Sequence, residues 1–200
     1  YGRIGDISIE SSRCALQEHF DRLGLNATVR PYQLRPSHEL PPQPTGTFLS
    51  RILPPSTPKL SIIIPCKLGT PFLSQSRWRP AAWKKKIIVL EHCLQSIRSS
   101  LREVDKATLE SPETEIILVL NHEDDVELAD QLITKYDLNG FSVCDEEGFD
   151  FARKCNLGAE SASGEILVFL NDDTDIQTEG WTSHVICLLQ EDDVACVGGM

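Results

Sequence analysis

No Cys-x-x-Cys pair occurs anywhere in this 200-residue chain. Its seven cysteines (Cys14, Cys66, Cys93, Cys144, Cys155, Cys187 and Cys196) are scattered and odd in number. That argues against a zinc site and against a closed disulfide framework, and it favours a reducing compartment. Most of them stand in apolar segments, where a free thiol packs as a small hydrophobe. Long hydrophobic runs are missing as well. The longest are strand-sized, which excludes a membrane-spanning helix, and no signal peptide is visible. An excess of basic residues is also lacking. Nineteen Lys and Arg face thirty Asp and Glu, for a net charge of −11. This excludes general nucleic-acid binding, which works by phosphate neutralisation, but it leaves room for a nucleotide held through a metal. Glycine-rich phosphate loops are absent. There is no Gly-x-x-x-x-Gly-Lys-Ser/Thr, and no Gly-x-Gly-x-x-Gly follows the first buried strand. His19, His38, His92, His122 and His184 show no metal spacing, and no Ser-His-Asp or Cys-His order can be argued. Methionine is nearly absent: Met200, the last residue, is the only one. With no starting methionine and a stop just after the apolar segment Val194–Met200, the chain is expected to be a fragment.

What is present begins with a short helix over 11–24 within an N-terminal segment, 1–30. Ser11 or Ser12 is placed to cap it, Leu16, Phe20 and Leu23 share a face, and Gly24 ends it. Residues 31–58 hold eight of the twelve prolines and read as an extended linker with little helix or sheet. From 59 to 200 the pattern changes. Buried strands are expected at Ser61–Pro65, Glu115–Leu120, Phe141–Cys144, Glu165–Leu170 and Val194–Val197. Helices are expected between them at 88–104, 125–136, 149–162 and 181–190. The third of these carries a small-residue face of Ala152, Cys155, Ala159 and Ala162. Strands alternating with helices imply right-handed crossovers and a mostly parallel sheet flanked by helices: an α/β fold with a Pro-rich N-terminal extension.

The stretch Gly164-Glu165-Ile166-Leu167-Val168-Phe169-Leu170-Asn171-Asp172-Asp173 is the most informative. A run apolar at every position is expected of a strand buried on both faces. It ends in two carboxylates, at the sheet edge where ligands of such folds bind. Asp172 and Asp173 therefore either hold a hard divalent cation or cap a turn.

Three segments in this order resemble family 2 glycosyltransferases of the GT-A fold. They are Ser61-Ile62-Ile63-Ile64-Pro65; Gly148-Phe149-Asp150-Phe151-Ala152-Arg153-Lys154-Cys155-Asn156-Leu157-Gly158-Ala159; and Ala162-Ser163-Gly164-Glu165 running into Phe169-Leu170-Asn171-Asp172-Asp173-Thr174-Asp175 with Gly180-Trp181. The closing Val197-Gly198-Gly199 fits too. The Phe-x-Phe pattern and the segment Ala15 to Gly24 look most like bacterial transferases of the rhamnan and O-antigen type. The resemblance implies a Rossmann-like nucleotide-binding half. It implies inverting transfer of a sugar from a nucleotide-diphosphate sugar to a saccharide or lipid-linked acceptor, in cell-surface polysaccharide synthesis. Asp173 would bind Mg²⁺ or Mn²⁺ directly, and Asp172 would touch the donor ribose or the metal's waters. Pro65, Asn121 and Asn156 are the other implied donor contacts. A divalent cation suits the chemistry, because the departing diphosphate gains negative charge as the glycosidic bond breaks.

The departures from the family pattern are specific. Where its second strand ends in an Asp that reads the nucleotide, this chain has Leu120 followed by Asn121. Asn121 either substitutes or merely opens a turn. Cys155 stands where an Arg often precedes the helix Asn, and Asn156 is either a donor contact or a side chain bonding backbone. Residues 67–86 carry Lys67, Arg77, Arg79, Lys84, Lys85, Lys86, Trp78 and Trp83 with no acid. This patch approaches diphosphate, lies on an anionic membrane surface, or is a solvated face. The expected location is the cytoplasm, with peripheral contact at the inner face of the membrane if the second case holds. The family's general base lies in an acceptor-binding half beyond residue 200, so little transfer is expected of residues 1–200 alone. Two other readings remain: a degenerate, non-catalytic transferase-like interaction module, and a metal-dependent nucleotidyltransferase.

Overall fold

A computed structural model describes residues 2–33, 44–52, 56–68, 80–101, 112–148, 150–178, 180–191 and 193–198, and every absence stated below concerns these residues. They form two compact units. The first is built on helix α1 (Gly2–Arg22) and strands β1 (Ala27–Gln33) and β2 (Pro44–Ile52). α1 is longer than its 11–24 pattern implies and runs straight through Ser11 and Ser12, so neither caps it. Its end follows expectation. Gly24 takes a positive φ of 69°. Gly24 N donates to Asp21 O at 3.0 Å and Leu25 N to Phe20 O at 3.1 Å, the paired bonds that close a helix on a left-handed glycine. α1 packs against β1, where Gln17 Nε2 donates to Ala27 O at 2.8 Å.

The Pro-rich stretch needs correction. β2 lies inside it and pairs antiparallel with β1 from Ala27↔Ile52 to Pro31↔Phe48, with a register shift before Gln33↔Pro44. Thr47, Phe48 and Leu49 supply strand-forming residues between the prolines. Pro31 and Pro44 sit in a two-stranded ribbon, where each strand has an open side for a residue that donates no backbone bond.

The second unit contains β3 (Leu60–Pro65), α2 (Pro80–Leu101), β4 (Thr114–Leu120), a single 3₁₀ turn (Glu123–Asp125), α3 (Val126–Lys135), β5 (Gly140–Cys144), α4 (Phe151–Ser161) and β6 (Ile166–Phe169). All three strand pairings are parallel, in the order β5-β4-β3-β6. This is the α/β fold with a parallel sheet that the alternating pattern implies. On one face Ile62, Ile64, Ile116, Leu118 and Leu120 pack against Leu90, Cys93, Leu94 and Ile97 of α2 and Ala129, Leu132 and Ile133 of α3. On the other, Ile63, Ile117 and Val119 meet Leu157 and Ala159 of α4. β3 and β4 are covered on both sides, which is why their sequences are apolar at nearly every position.

Three glycines fix close approaches. A Cβ on Gly158 would stand 2.4 Å from Ile63 Cγ2, one on Gly140 2.2 Å from Ile116 O, and one on Gly164 2.7 Å from Ser61 N. The α4 contact also corrects the expected helix face. Lys154 and Gly158 are the buried positions, Ala159 and Ala162 pack beside them, and Ala152 is exposed. The close approach of Gly158 to Ile63 goes with this rotation.

β6 differs from expectation too. It is the outermost strand on its side and bonds β3 alone, while α4 lies over β3 and β4. Ile166 and Val168 are therefore half-buried, but Leu167 and Phe169 are 39% and 50% exposed. Val194–Val197 is not a strand. Four apolar residues make a strand only where a neighbour accepts their ladder bonds. Helix α5 (Trp181–Leu188) closes the described elements, with Trp181 Nε1 donating to Ser100 Oγ at 3.1 Å. No helix is long and apolar enough to cross a membrane.

The end of the sheet opposite the strand tips is pinned by Glu115. Ser61 Oγ donates to its Oε1 at 2.5 Å, Ser163 N at 2.7 Å and Ser163 Oγ at 2.9 Å, and Lys59 Nζ lies 3.4 Å from Oε2. Gly164 N donates in turn to Ser61 Oγ at 2.8 Å. Burial alone would raise this carboxyl, but the hydrogen bonds and Lys59 outweigh it and hold Glu115 down at about 2. The network ties β3, β4 and the turn into β6 together, which explains the Ser-Gly pair physically.

Candidate functional site

Strand order reverses between β3 and β6: from β3 the chain first adds β4 and β5 on one side, then returns to place β6 on the other. The carboxyl ends of β3 and β6 flank the crevice that such a reversal opens, where ligands of open parallel sheets bind. β3 delivers Pro65, Cys66 and Lys67 to this edge, and β6 delivers Asn171, Asp172 and Asp173. Leu170 N donates to Ile63 O at 3.0 Å, the last bond before the strands part. Thr174 N donates to Asn171 O at 3.2 Å and closes a turn across the two carboxylates.

Asp172 is half-buried, and Asp173 and Asp175 are exposed. Electrostatics locate Asp172 further. Burial pushes the Cys66 thiol well above its usual range, and the Asp172 charge pushes it higher. Cys93 is driven up to about 12, by burial first and then by Asp172. Cys93 Sγ also donates to Asn171 O at 3.7 Å. Asp172 is thus close enough to both buried thiols for its charge to raise them.

Two adjacent carboxylates with hard oxygen donors fit Mg²⁺ or Mn²⁺. Among the described residues, no group of three or more His, Cys, Asp or Glu converges. One or two carboxylates would suit only an open site, in which an ion's other ligands are water and substrate phosphate. Asp173 and Asp172 are the side chains that could hold such an ion.

The other residues singled out from sequence fall differently. Pro65 is buried at the tip of β3, opposite Val119. Asn121, directly after β4, is 3% exposed, and its Oδ1 has no hydrogen-bond partner. A buried amide oxygen without a protein donor is costly, so its acceptor capacity is open to a donor from outside the described residues. Asn156 is exposed on α4, two residues from Lys154 and from Gly158, which are buried, so its side chain lies on the solvent side of the helix. Leu120 is wholly buried. The basic patch of 67–86 falls outside the described side chains apart from Lys67, which is exposed, and the backbone of residues 80–86, which belongs to α2.

Sequence reasoning missed a second layer. Arg153 joins the β5 loop to the start of α4: Nε donates to Asp145 Oδ2 and a terminal nitrogen to Glu147 Oε2, both at 2.7 Å. Asp150 caps α4 by accepting from Arg153 N at 3.0 Å. Lys154, the largest fully buried side chain, reaches the end of β4.

The sequence model of the family described as "Glycosyl transferase family 2" matches residues 87–200, more than half of the chain. No curated protein matches it.

Proposed function

The chain belongs to glycosyl transferase family 2, and from that premise we propose that it moves a sugar from a nucleotide-diphosphate sugar to an acceptor hydroxyl, with inversion, using Mg²⁺ or Mn²⁺ held by Asp173 and Asp172. The observation that carries this is the pair of carboxylates at the tip of β6, beside the point where strand order reverses. The bound ion supplies a Lewis acid for the charge that develops on the leaving diphosphate. Asp173, the more exposed of the two, is the direct ligand. Asp172, half-buried, orients the ion's waters or the ribose. Asn121 Oδ1 accepts an N–H of the base. Its amide, carrying an acceptor and a donor side by side, matches a ring N–H beside a carbonyl, as in uracil and thymine. A saccharide or lipid-linked hydroxyl is the acceptor, and cell-surface polysaccharide is the product class.

A second reading is a transferase-like module without catalysis. It is favoured by Leu120, whose buried side chain offers the nucleotide nothing at a position where the family carries an Asp. Calorimetric titration of UDP and dTDP, each with and without Mn²⁺, separates the two. Binding that requires Mn²⁺ supports the donor site, and no binding of either nucleotide by the folded protein supports the second reading.

A further inference from the structure

Lys154 is the largest fully buried side chain of the described protein, and the donor site proposed above does not use it. It lies in the first turn of α4, and its Nζ donates to Val119 O at 3.2 Å and to Leu120 O at 2.5 Å. Those two carbonyls are the meeting point of three strand ends. Val119 O also accepts Cys66 N from the end of β3 at 2.8 Å, and Leu120 O accepts Asp145 N from the end of β5 at 2.9 Å. One ammonium therefore underlies the residues that begin the loops after β3, β4 and β5, and Asn121 is the next residue along the chain from Leu120.

The chemistry of this arrangement is unusual for a merely structural contact. Each carbonyl already has a backbone partner, so the sheet does not need the lysine to satisfy it. Burying an ammonium is costly, and an apolar side chain of similar volume would fill the space without that cost. Burial lowers the Lys154 pKa, while the carboxylate of Asp145 pulls the other way. What the ammonium adds is a fixed direction. It adds a second hydrogen bond to the Leu120 carbonyl, which belongs to the peptide leading into Asn121.

Resting on the reading of the crevice as a nucleotide site, we infer that Lys154 is a positioning residue for the nucleobase end of the donor, acting through the Leu120 carbonyl on Asn121. The carboxylate pair lies at β6, the one strand end that these shared carbonyls do not join. Lys154 selects how well the base is held and leaves the diphosphate and metal contacts alone.

The test compares two probes on wild type and Lys154→Met, both with Mn²⁺. UDP engages both ends of the crevice, and inorganic pyrophosphate engages only the Asp172–Asp173 end. Expected is a loss of UDP affinity of about tenfold or more, the scale of one well-placed hydrogen bond to a buried group. Pyrophosphate affinity should stay within about twofold, with a cooperative circular-dichroism melt retained. Parallel loss of both ligands, or no change in either, overturns the inference. If Lys154→Met does not fold, the wild-type protein still decides. Its Lys154 ¹⁵Nζ resonance should move on adding UDP and stay still on adding pyrophosphate, and indifference to UDP refutes the assignment. Failure of the underlying site looks different: wild type then binds neither probe. If wild type binds UDP no more tightly than pyrophosphate, the metal end stands and this inference alone falls.

Discussion

Glu115→Gln offers the sharpest quantitative test of how this sheet is held. The carboxyl sits at about 2 in the folded protein against an ordinary 4.5. Each unit is worth 1.36 kcal/mol, so the network is worth about 3 kcal/mol at neutral pH. The group is nearly buried, at 6% exposure, so solvent screening removes little of this. The sign follows from a depressed carboxyl. The stabilisation is fully present above pH 4.5 and drains away as pH falls toward 2. In Glu115→Gln the charge is gone at every pH, and the amide's N–H₂ meets the donors Ser163 N–H and Lys59. Urea unfolding followed by far-UV circular dichroism, at pH 7 and at intervals down to about 2.5, should show wild type more stable by ~2–3 kcal/mol at pH 7. At about pH 2.5, half a unit above the folded value, the gap should have shrunk to about 1 kcal/mol or less. Curves that stay parallel from pH 7 to the acid limit would show that the Ser61–Ser163–Lys59 cradle does not hold an ionised carboxylate, and the reasoning would fail.

Other outcomes follow from the same geometry. Gly164→Ala puts a Cβ 2.7 Å from Ser61 N and 2.8 Å from Leu60 C, both backbone atoms that cannot swing aside. The substitution should cost ~2–3 kcal/mol in urea unfolding. Thiol labelling at pH 8 should modify exposed Cys196 first. Cys66 and Cys93, both driven up by burial and Asp172, should react only under denaturant. Asp173→Ala should abolish Mn²⁺-dependent nucleotide binding and leave the melt within about 0.5 kcal/mol of wild type, because the side chain is exposed.

The parallel sheet was legible because β3 and β4 are covered on both faces and write that burial into every position. The carboxylate tip was legible for a related reason, since Asp172 and Asp173 interrupt an apolar run where a strand must end. The same logic misled at β6. Leu167 and Phe169 are apolar yet half-open, because neighbours in the sheet, and not composition, decide coverage. β2 was hidden by prolines, which a two-stranded ribbon tolerates at its open sides. Lys154 was hidden by its type: lysine reads as solvent-facing, and only the rotation of α4 turns it inward. The unpartnered oxygen of Asn121 is a property of three-dimensional surroundings, and no pattern along the chain encodes it.

The central claim is that Asp172 and Asp173 make an open cation site completed by a nucleotide. Electron paramagnetic resonance of Mn²⁺ tests it most directly, because the sharp signal of the free ion vanishes on binding. With UDP present, wild type should take up about one ion per chain, and with UDP absent it should bind Mn²⁺ weakly, since two carboxylates alone do not complete a coordination shell. Asp173→Ala should leave the wild-type signal loss undone. Equal uptake by wild type and Asp173→Ala, or tight uptake that ignores UDP, would contradict the assignment of the β6 tip as the donor's metal site.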